Sequence, residues 1–237
     1  MSLSNTGLYG FDFWDRWHCR FPLEKLSIEK YSKRIMTPEL RIEQLAKRIN
    51  VEGMRILELG CLEGTHSLML QNLGAKEIVA IEGRKENFLK CLIVKNAFNL
   101  DKCKFLYGDV SKILGSFLGH FDLCLALGIF YHLEDPISII YRIGEIADKL
   151  FAWTHFSTRD CPQGNLIKIK YNRKIYQGKH VKENTEDYLS GLHHKDSFWI
   201  FEDDLLSLIY DAGFKETKVI QKEDHKRGPA ITFLAKK

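Results

Sequence analysis

The chain has 237 residues with a formal net charge of +4, and 45% of them are hydrophobic. This length suits one sizeable α/β domain that buries a full core without disulfides or metals. A charge of +4 is too small to indicate nucleic-acid binding by itself.

The cysteines and the hydropathy exclude further classes. Six cysteines are scattered without a C-x-x-C pair, which argues against a zinc site or a disulfide framework. No apolar run approaches the ~20 residues of a membrane-spanning helix. The N-terminus lacks the basic head and apolar stretch of a signal peptide. We therefore expect a cytoplasmic protein without membrane contact.

Residues 1–50 predict a helical extension ahead of a main domain over residues 51–237. Thr37, Pro38 and Glu39 combine an N-cap, a proline at the first helical position and an early acid. Aromatic residues near the N-terminus either dock this extension on the core or roof an active site as a lid: Phe11, Phe13, Trp14, Trp17 and Phe21.

From residue 55 onward, predicted strands and helices alternate. The strands are residues 55–60, 77–82, 104–108, 121–128 and 149–155, and the helices are residues 65–73, 84–98 and 136–146. Strands that are apolar along their length and joined by helices predict a parallel sheet covered on both faces.

The alternation stops after residue 155. Residues 157–197 are polar and form a predicted insertion, with strand-like pieces at 166–171 and 173–176. A helix over 202–212 ends at Gly213, as helices often end at glycine. Residues 218–221 and 231–235 predict two closing strands.

Three consecutive strand ends carry a carboxylate beside a glycine. The stretch RILELGCLEG, residues 55–64, ends the first strand in a corner with Gly60 and Gly64. Glu82 ends the second strand, 82 − 60 = 22 residues beyond Gly60, where a carboxylate can accept hydrogen bonds from a ribose. Asp109 follows the third strand. Taken singly, the glycines could be turn formers, and Glu82 and Asp109 could be helix caps.

The corner favours a nucleoside without phosphates. A dinucleotide fingerprint needs G-x-G-x-x-G, but Leu62 occupies the second glycine position. No P-loop is present, and Glu63 would repel a phosphate.

At this point the sequence resembles the class I S-adenosylmethionine-dependent methyltransferases. The matching motifs are ELGCLEG, VAIEG, YGDV and LALGIFYHLEDP, within residues 54–156, and a closing AGF followed by two strands extends the match to the C-terminus. The resemblance implies a doubly wound, seven-stranded, mostly parallel sheet and S-adenosylmethionine as cofactor. One departure is Leu62, which replaces the middle glycine of the family's acid-x-G-x-G-x-G pattern and puts the shape of the loop in question.

The resemblance also implies roles for individual residues. Glu58, Gly60 and Gly64 would line the methionine moiety, Glu82 would hold the ribose, and Asp109 the adenine amino group. The backbone near 126–128 would flank the sulfonium. The remaining implied cofactor-binding residues are Cys61, Gly83, Val110, Leu127 and Gly128.

Candidate catalytic residues follow the fourth and fifth strands. Tyr131 and His132 lie where a methyl group would point, and His155 ends the fifth strand. His132 or His155 could act as a base or orient the acceptor. Alternatively, His132 braces its loop through Asp135, and His155 is structural. Glu134 and Asp135 have no matching third ligand, so we expect no metal.

The acceptor is predicted to be a small molecule, such as a sugar. Basic and aromatic residues interleave in the insertion, a pattern that also suits single-stranded nucleic acid or an exposed hairpin with lysine-protected edges. These residues could equally hold an extra carboxylate on a modified S-adenosylmethionine. Gly128–His132 also resembles the enzymes that modify the wobble uridine of tRNA, but the small net charge disfavours that alternative. A non-catalytic nucleoside-binding module is the third hypothesis, supported by Leu62.

Overall fold

The structure is a computed structural model that describes residues 17, 18, 39–160, 164–184, 189–192 and 196–237. The strands are β1 (Arg55–Leu59), β2 (Glu77–Glu82), β3 (Cys103–Tyr107), β4 (Leu123–Leu127), β5 (Lys149–His155), β6 (Asn165–Tyr171), β7 (Lys174–Lys182), β8 (Asp196–Ile200), β9 (Glu216–His225) and β10 (Gly228–Lys236). The helices are α1 (Leu40–Ala46), α2 (Thr65–Asn72), α3 (Lys85–Phe98), α4 (Val110–Ile113), α5 (Pro136–Ile146) and α6 (Glu202–Asp211).

Seven strands form the main sheet, in the order β3-β2-β1-β4-β5-β10-β9. Strands β1 to β5 are parallel to one another. Strand β10 is inserted antiparallel between β5 and β9. The predicted seven-stranded, mostly parallel sheet is therefore confirmed.

Helices cover both faces of this sheet, as the continuous apolar strands predict. On one face α5 and α6 pack against it through residues such as Ile140 and Leu208, both fully buried. On the other face α1, α2 and α3 contribute Leu45, Leu70 and Val94. Burial on two sides explains why every residue of β4 is buried.

The insertion contains a second sheet, in the order β6-β7-β8. The sequence predicts strands within β6 and β7, but β7 runs six residues further than residue 176. Strand β8 was missed altogether. Its residues Phe198 and Ile200 are buried in the main core, so the insertion is anchored to the domain by its last strand.

The edge strand and the first helix differ from the prediction. Strand β9 is longer than residues 218–221 and mostly exposed, because pairing with β10 sets its length rather than an apolar pattern. Helix α1 begins after Glu39, whose carboxylate accepts from the N–H of Arg41, so the predicted helix start was wrong by two residues. Thr37 and Pro38 lie outside the described residues.

The structure describes little of the predicted extension before α1. Trp17 is buried in the core on the α3 face, with its ring centroid 5.3 Å from Nζ of Lys90. The other four aromatic residues of the predicted lid lie outside the described part of the chain. Within that part, no helix is both long enough and apolar enough to cross a membrane.

Candidate active site

Two adjoining cavities open at the carboxyl ends of the parallel strands. The first, of about 390 Å³, is lined by the end of β2 and the starts of α3 and α4. The second, of about 360 Å³, is lined by the ends of β4 and β5 and by the start of α1. Gly60, Leu62, Gly128 and His132 line both cavities. They lie where the strand order reverses between β1 and β4, the usual ligand site of an open α/β sheet.

The backbone of the corner after β1 is left-handed at three residues. Gly60, Leu62 and Gly64 all have left-handed backbones, with φ of +69°, +53° and +81°. Leucine pays roughly 1–2 kcal/mol for this conformation, which glycine adopts freely. Leu62 therefore adopts the kind of backbone conformation that a glycine at this position could take without strain.

Glu82 holds that corner from the end of β2. Its Oε2 accepts from the N–H of Leu62 at 2.9 Å, and its Oε1 from the N–H of Arg84 at 2.8 Å. Burial raises the pKa of Glu82 to about 7, because it outweighs these hydrogen bonds and a third from the Asn87 side chain. A carboxylate has about four acceptor sites, so capacity remains for a ligand hydroxyl.

Asp109 both caps a helix and lines the first cavity. Its Oδ1 accepts from the N–H of Ser111 at 2.8 Å, as an N-cap of α4 does. Val110 and Gly83 line the same cavity. A Cβ at Gly83 would lie 2.1 Å from Cδ1 of Leu192, so a larger residue there would require the Leu192 side chain to move.

Glu58, by contrast, lines neither cavity. It is buried under the loop, where it accepts from the hydroxyl of Ser67 and lies 3.2 Å from Nδ1 of His66. Burial disfavours a charged His66, but its hydrogen bonds with Glu39 and Glu58 outweigh that and raise its pKa. Glu58 thus joins β1 to the start of α2.

Glu63 is buried at the corner and has partners within the protein. Its Oε1 lies 3.1 Å from Nζ of Lys90, and both side chains are fully buried. It also accepts from the N–H of His18 at 2.6 Å. That Glu63 would repel a phosphate stays a prediction, although its carboxylate lies beside the ammonium of Lys90.

His155 is held in one tautomer. Its Nδ1 lies 3.1 Å and 3.2 Å from the carbonyl oxygens of Gly228 and Pro229, which can only accept. Nδ1 therefore carries the proton, and Nε2 keeps its lone pair. Burial lowers the pKa of His155, and its ring stacks on Trp199 at 4.9 Å. The residue is a neutral imidazole in the wall of the second cavity.

Tyr131 fills the space between the two histidines. Its ring centroid lies 4.1 Å from that of His132 and 4.6 Å from that of His155. Burial raises its pKa to about 12, so the hydroxyl is protonated near neutral pH. The three predicted catalytic residues are thus brought together.

His132 pairs with a residue that the sequence did not single out. Its Nδ1 lies 3.0 Å from Oε2 of Glu183, just beyond β7. The alternative of a brace through Asp135 is wrong, because Asp135 accepts from the N–H of Ser138 as the N-cap of α5. No sequence signal marks Glu183, which is 51 residues from His132.

The other predicted positions lie around the second cavity. Cys61 and Leu127 line it. The Sγ atoms of Cys61 and Cys91 are 3.6 Å apart, and burial raises the pKa of both thiols. Among the described residues, no group of three or more histidines, cysteines or acids is arranged to hold a metal ion.

Comparisons with known proteins identify the fold. No protein-family model and no curated protein matches the chain. Among solved structures, the N-terminal domain of EvdMO1, crystallised in the presence of SAH and D-fucose, has a TM-score of 0.78 at 24% identity, over 94% of this chain and 92% of that one. The chain has the class I methyltransferase fold.

Other structures with this methyltransferase fold are more distant. An S-adenosylmethionine-dependent methyltransferase from Mesorhizobium loti has a TM-score of 0.58 at 12% identity, over 83% of this chain and 96% of that one. Magnesium protoporphyrin IX methyltransferase from Synechocystis PCC 6803, with bound SAH, has a TM-score of 0.55 at 13% identity, over 84% and 80% of the two chains.

Proposed function

We propose that the protein is an S-adenosylmethionine-dependent methyltransferase that acts on a hydroxyl group of a small polar molecule such as a sugar. The first cavity would hold the nucleoside of the cofactor, and the second the acceptor. The observation that carries this proposal is that His132 lines both cavities. It therefore lies where a methyl group would pass from one cavity to the other.

The residues of the first cavity fit the nucleoside. Glu82 retains acceptor capacity for a ribose hydroxyl. Oδ1 of Asn87, beside it, is buried without a partner among the described residues, as is Oγ1 of Thr65 in the second cavity. Asp109 also lines the first cavity, and we assign it to the adenine amino group. A volume of about 390 Å³ is within the usual range for a small-molecule site.

The structural relatives support this choice of cofactor. The N-terminal domain of EvdMO1 was crystallised with SAH, and the Synechocystis methyltransferase with SAH and with SAM. D-fucose was present with the EvdMO1 domain, which supports a sugar as one acceptor class to test.

The chain's own residues supply alignment and a base. S-adenosylmethionine, when bound, supplies a methyl group on positively charged sulfur, which is already a good leaving group. The enzyme therefore has to align the acceptor and remove its proton. In His132 and in His155, Nδ1 points at an oxygen atom of the protein, so Nε2 is available to take a proton. We assign the base to His132 because it lines both cavities, and the orientation of the acceptor to His155 and Tyr131.

The proposal is tested by label transfer. The protein would be incubated with tritium-labelled S-adenosylmethionine and a panel of acceptors that contains free sugars, D-fucose included, nucleotide-linked sugars and tRNA. We expect labelled product with at least one sugar and a loss of about a hundredfold or more in His132→Ala. Transfer to tRNA alone would favour the wobble-uridine alternative. Bound cofactor with no transfer to any acceptor would favour a non-catalytic binding module.

A further inference from the structure

Glu183 receives hydrogen bonds from three separate parts of the chain. Its Oε2 accepts from Nδ1 of His132 at 3.0 Å and from the N–H of Gly191 at 3.2 Å. Its Oε1 accepts from the hydroxyl of Ser197 at 3.1 Å. The side chain is 8% exposed, so these protein donors replace most of its water.

The carboxyl group of Glu183 is ionised. Burial acts to raise its pKa, but the hydrogen bond and charge of His132, with the donors Gly191 and Ser197, outweigh burial and lower it. An ionised carboxylate only accepts, so Nδ1 of His132 carries a proton, and in the neutral imidazole Nε2 holds the lone pair.

The small sheet fixes the turn that carries His132. The N–H of Phe198 donates to the carbonyl of Leu133 at 2.9 Å, and Nε1 of Trp199 donates to the carbonyl of Tyr131 at 3.0 Å. A Cβ at Gly191 would lie 2.8 Å from the carbonyl oxygen of His132. The insertion thus contacts the backbone on both sides of His132, and it also binds the imidazole through Glu183.

We propose that Glu183 is a positioning residue that fixes the tautomer of His132 and stabilises its protonated form during methyl transfer. This inference rests on the proposed function. The acceptor oxygen forms a bond to the methyl carbon while the carbon–sulfur bond breaks and its electron pair stays on sulfur. The acceptor proton passes to Nε2 of His132 and then to solvent. The fixed negative charge of Glu183 stabilises the imidazolium that this proton creates.

The tautomer can be measured without any ligand. The protein has nine histidines, so ¹⁵N-labelled histidine would be incorporated and the His132 signals assigned by their loss in His132→Gln. We expect proton coupling at Nδ1 of His132 in the wild type and in Glu183→Gln, whose amide oxygen can still accept. In Glu183→Ala we expect the proton to redistribute toward Nε2. A wild-type His132 protonated at Nε2 alone, or a Glu183→Ala spectrum identical to the wild type, would overturn the proposal.

Kinetics then separate positioning from general stability. With the sugar that turns over fastest in the label-transfer panel, we expect kcat to fall about tenfold in Glu183→Gln and about a hundredfold or more in Glu183→Ala. The Kd for S-adenosylhomocysteine should stay within about threefold. Asp196→Asn, which neutralises an exposed carboxylate of the same sheet, should change neither quantity. An unchanged kcat in Glu183→Gln and Glu183→Ala would overturn the proposal, whereas a wild type that binds no S-adenosylhomocysteine would overturn the proposed function instead.

Discussion

The carboxylate of Glu82 accepts a hydrogen bond of 2.9 Å from the backbone N–H of Leu62, and so joins the end of β2 to the loop after β1. Leu62 is the one residue of that loop at which the sequence departs from the methyltransferase pattern. Its backbone is left-handed, at φ +53°, a conformation that glycine adopts freely.

Leu62→Gly should leave the cofactor site working. Glycine relieves roughly 1–2 kcal/mol of left-handed strain, but it loses the leucine side chain and adds freedom to the unfolded chain. We expect the Kd for S-adenosylhomocysteine, measured by calorimetry, to change by less than about threefold. An affinity gain of tenfold or more would mean that the leucine side chain obstructs the ligand.

Cofactor binding should strengthen as pH rises through about 7. The free carboxyl of Glu82 has a pKa of about 7, so it is about one-tenth ionised at pH 6 and nine-tenths at pH 8. Ribose hydroxyls donate hydrogen bonds, so they favour the ionised form. We therefore expect the Kd for S-adenosylhomocysteine to fall about tenfold between these values.

Glu82→Gln is the matched control for this pH dependence. It keeps the shape of the side chain but cannot ionise, so its weaker binding should be nearly flat over the same range. His66 titrates nearby with a raised pKa and is unchanged in this variant. If the variant retained the full pH dependence, the assignment to Glu82 would be wrong.

His155→Asn separates the two nitrogens of the imidazole. The asparagine amide can still donate to the carbonyls of Gly228 and Pro229, as Nδ1 does, but nothing replaces Nε2. We expect turnover of the acceptor to fall about tenfold or more. The free energy of unfolding, measured with urea, should fall by about 0.5–3 kcal/mol, since a buried ring stacked on Trp199 is lost. Unchanged turnover would restrict His155 to a structural role.

The buried pair of Glu63 and Lys90 should contribute strongly to stability. Glu63→Gln removes the negative charge that lies 3.1 Å from the fully buried ammonium of Lys90. We expect a loss of about 3–5 kcal/mol in the free energy of unfolding, measured with urea. Asp148→Asn, which breaks the exposed contact with His120, should cost less than about 1 kcal/mol. Equal effects of the two variants would contradict this account.

The parts of the molecule with a strong local pattern could be predicted from the sequence. The core strands could be predicted because parallel strands buried on both faces are continuously apolar, as LCLAL in β4 is. The glycine corner, Glu82 and Asp109 could be placed because they lie directly at strand ends. The full length of β9 was missed because an exposed edge strand carries no such pattern.

The contacts across the chain could not be predicted. Glu183 reaches His132 only because the insertion folds back onto the loop after β4, over 51 residues of sequence. The pairing of Glu63 with Lys90 likewise depends on how α3 packs against the corner. Histidine, glutamate and lysine are common on protein surfaces, so the sequence does not show that these two pairs are buried. Only the tertiary structure shows it.

The measurement that tests the central claim most directly is calorimetric titration of the protein with S-adenosylhomocysteine, with Glu82→Ala and NAD as controls. We predict binding at one site per chain, a loss of affinity of about a hundredfold or more in Glu82→Ala, and no binding of NAD. Absence of S-adenosylhomocysteine binding by the folded protein, or equal affinity in Glu82→Ala, would contradict the cofactor site described for this fold.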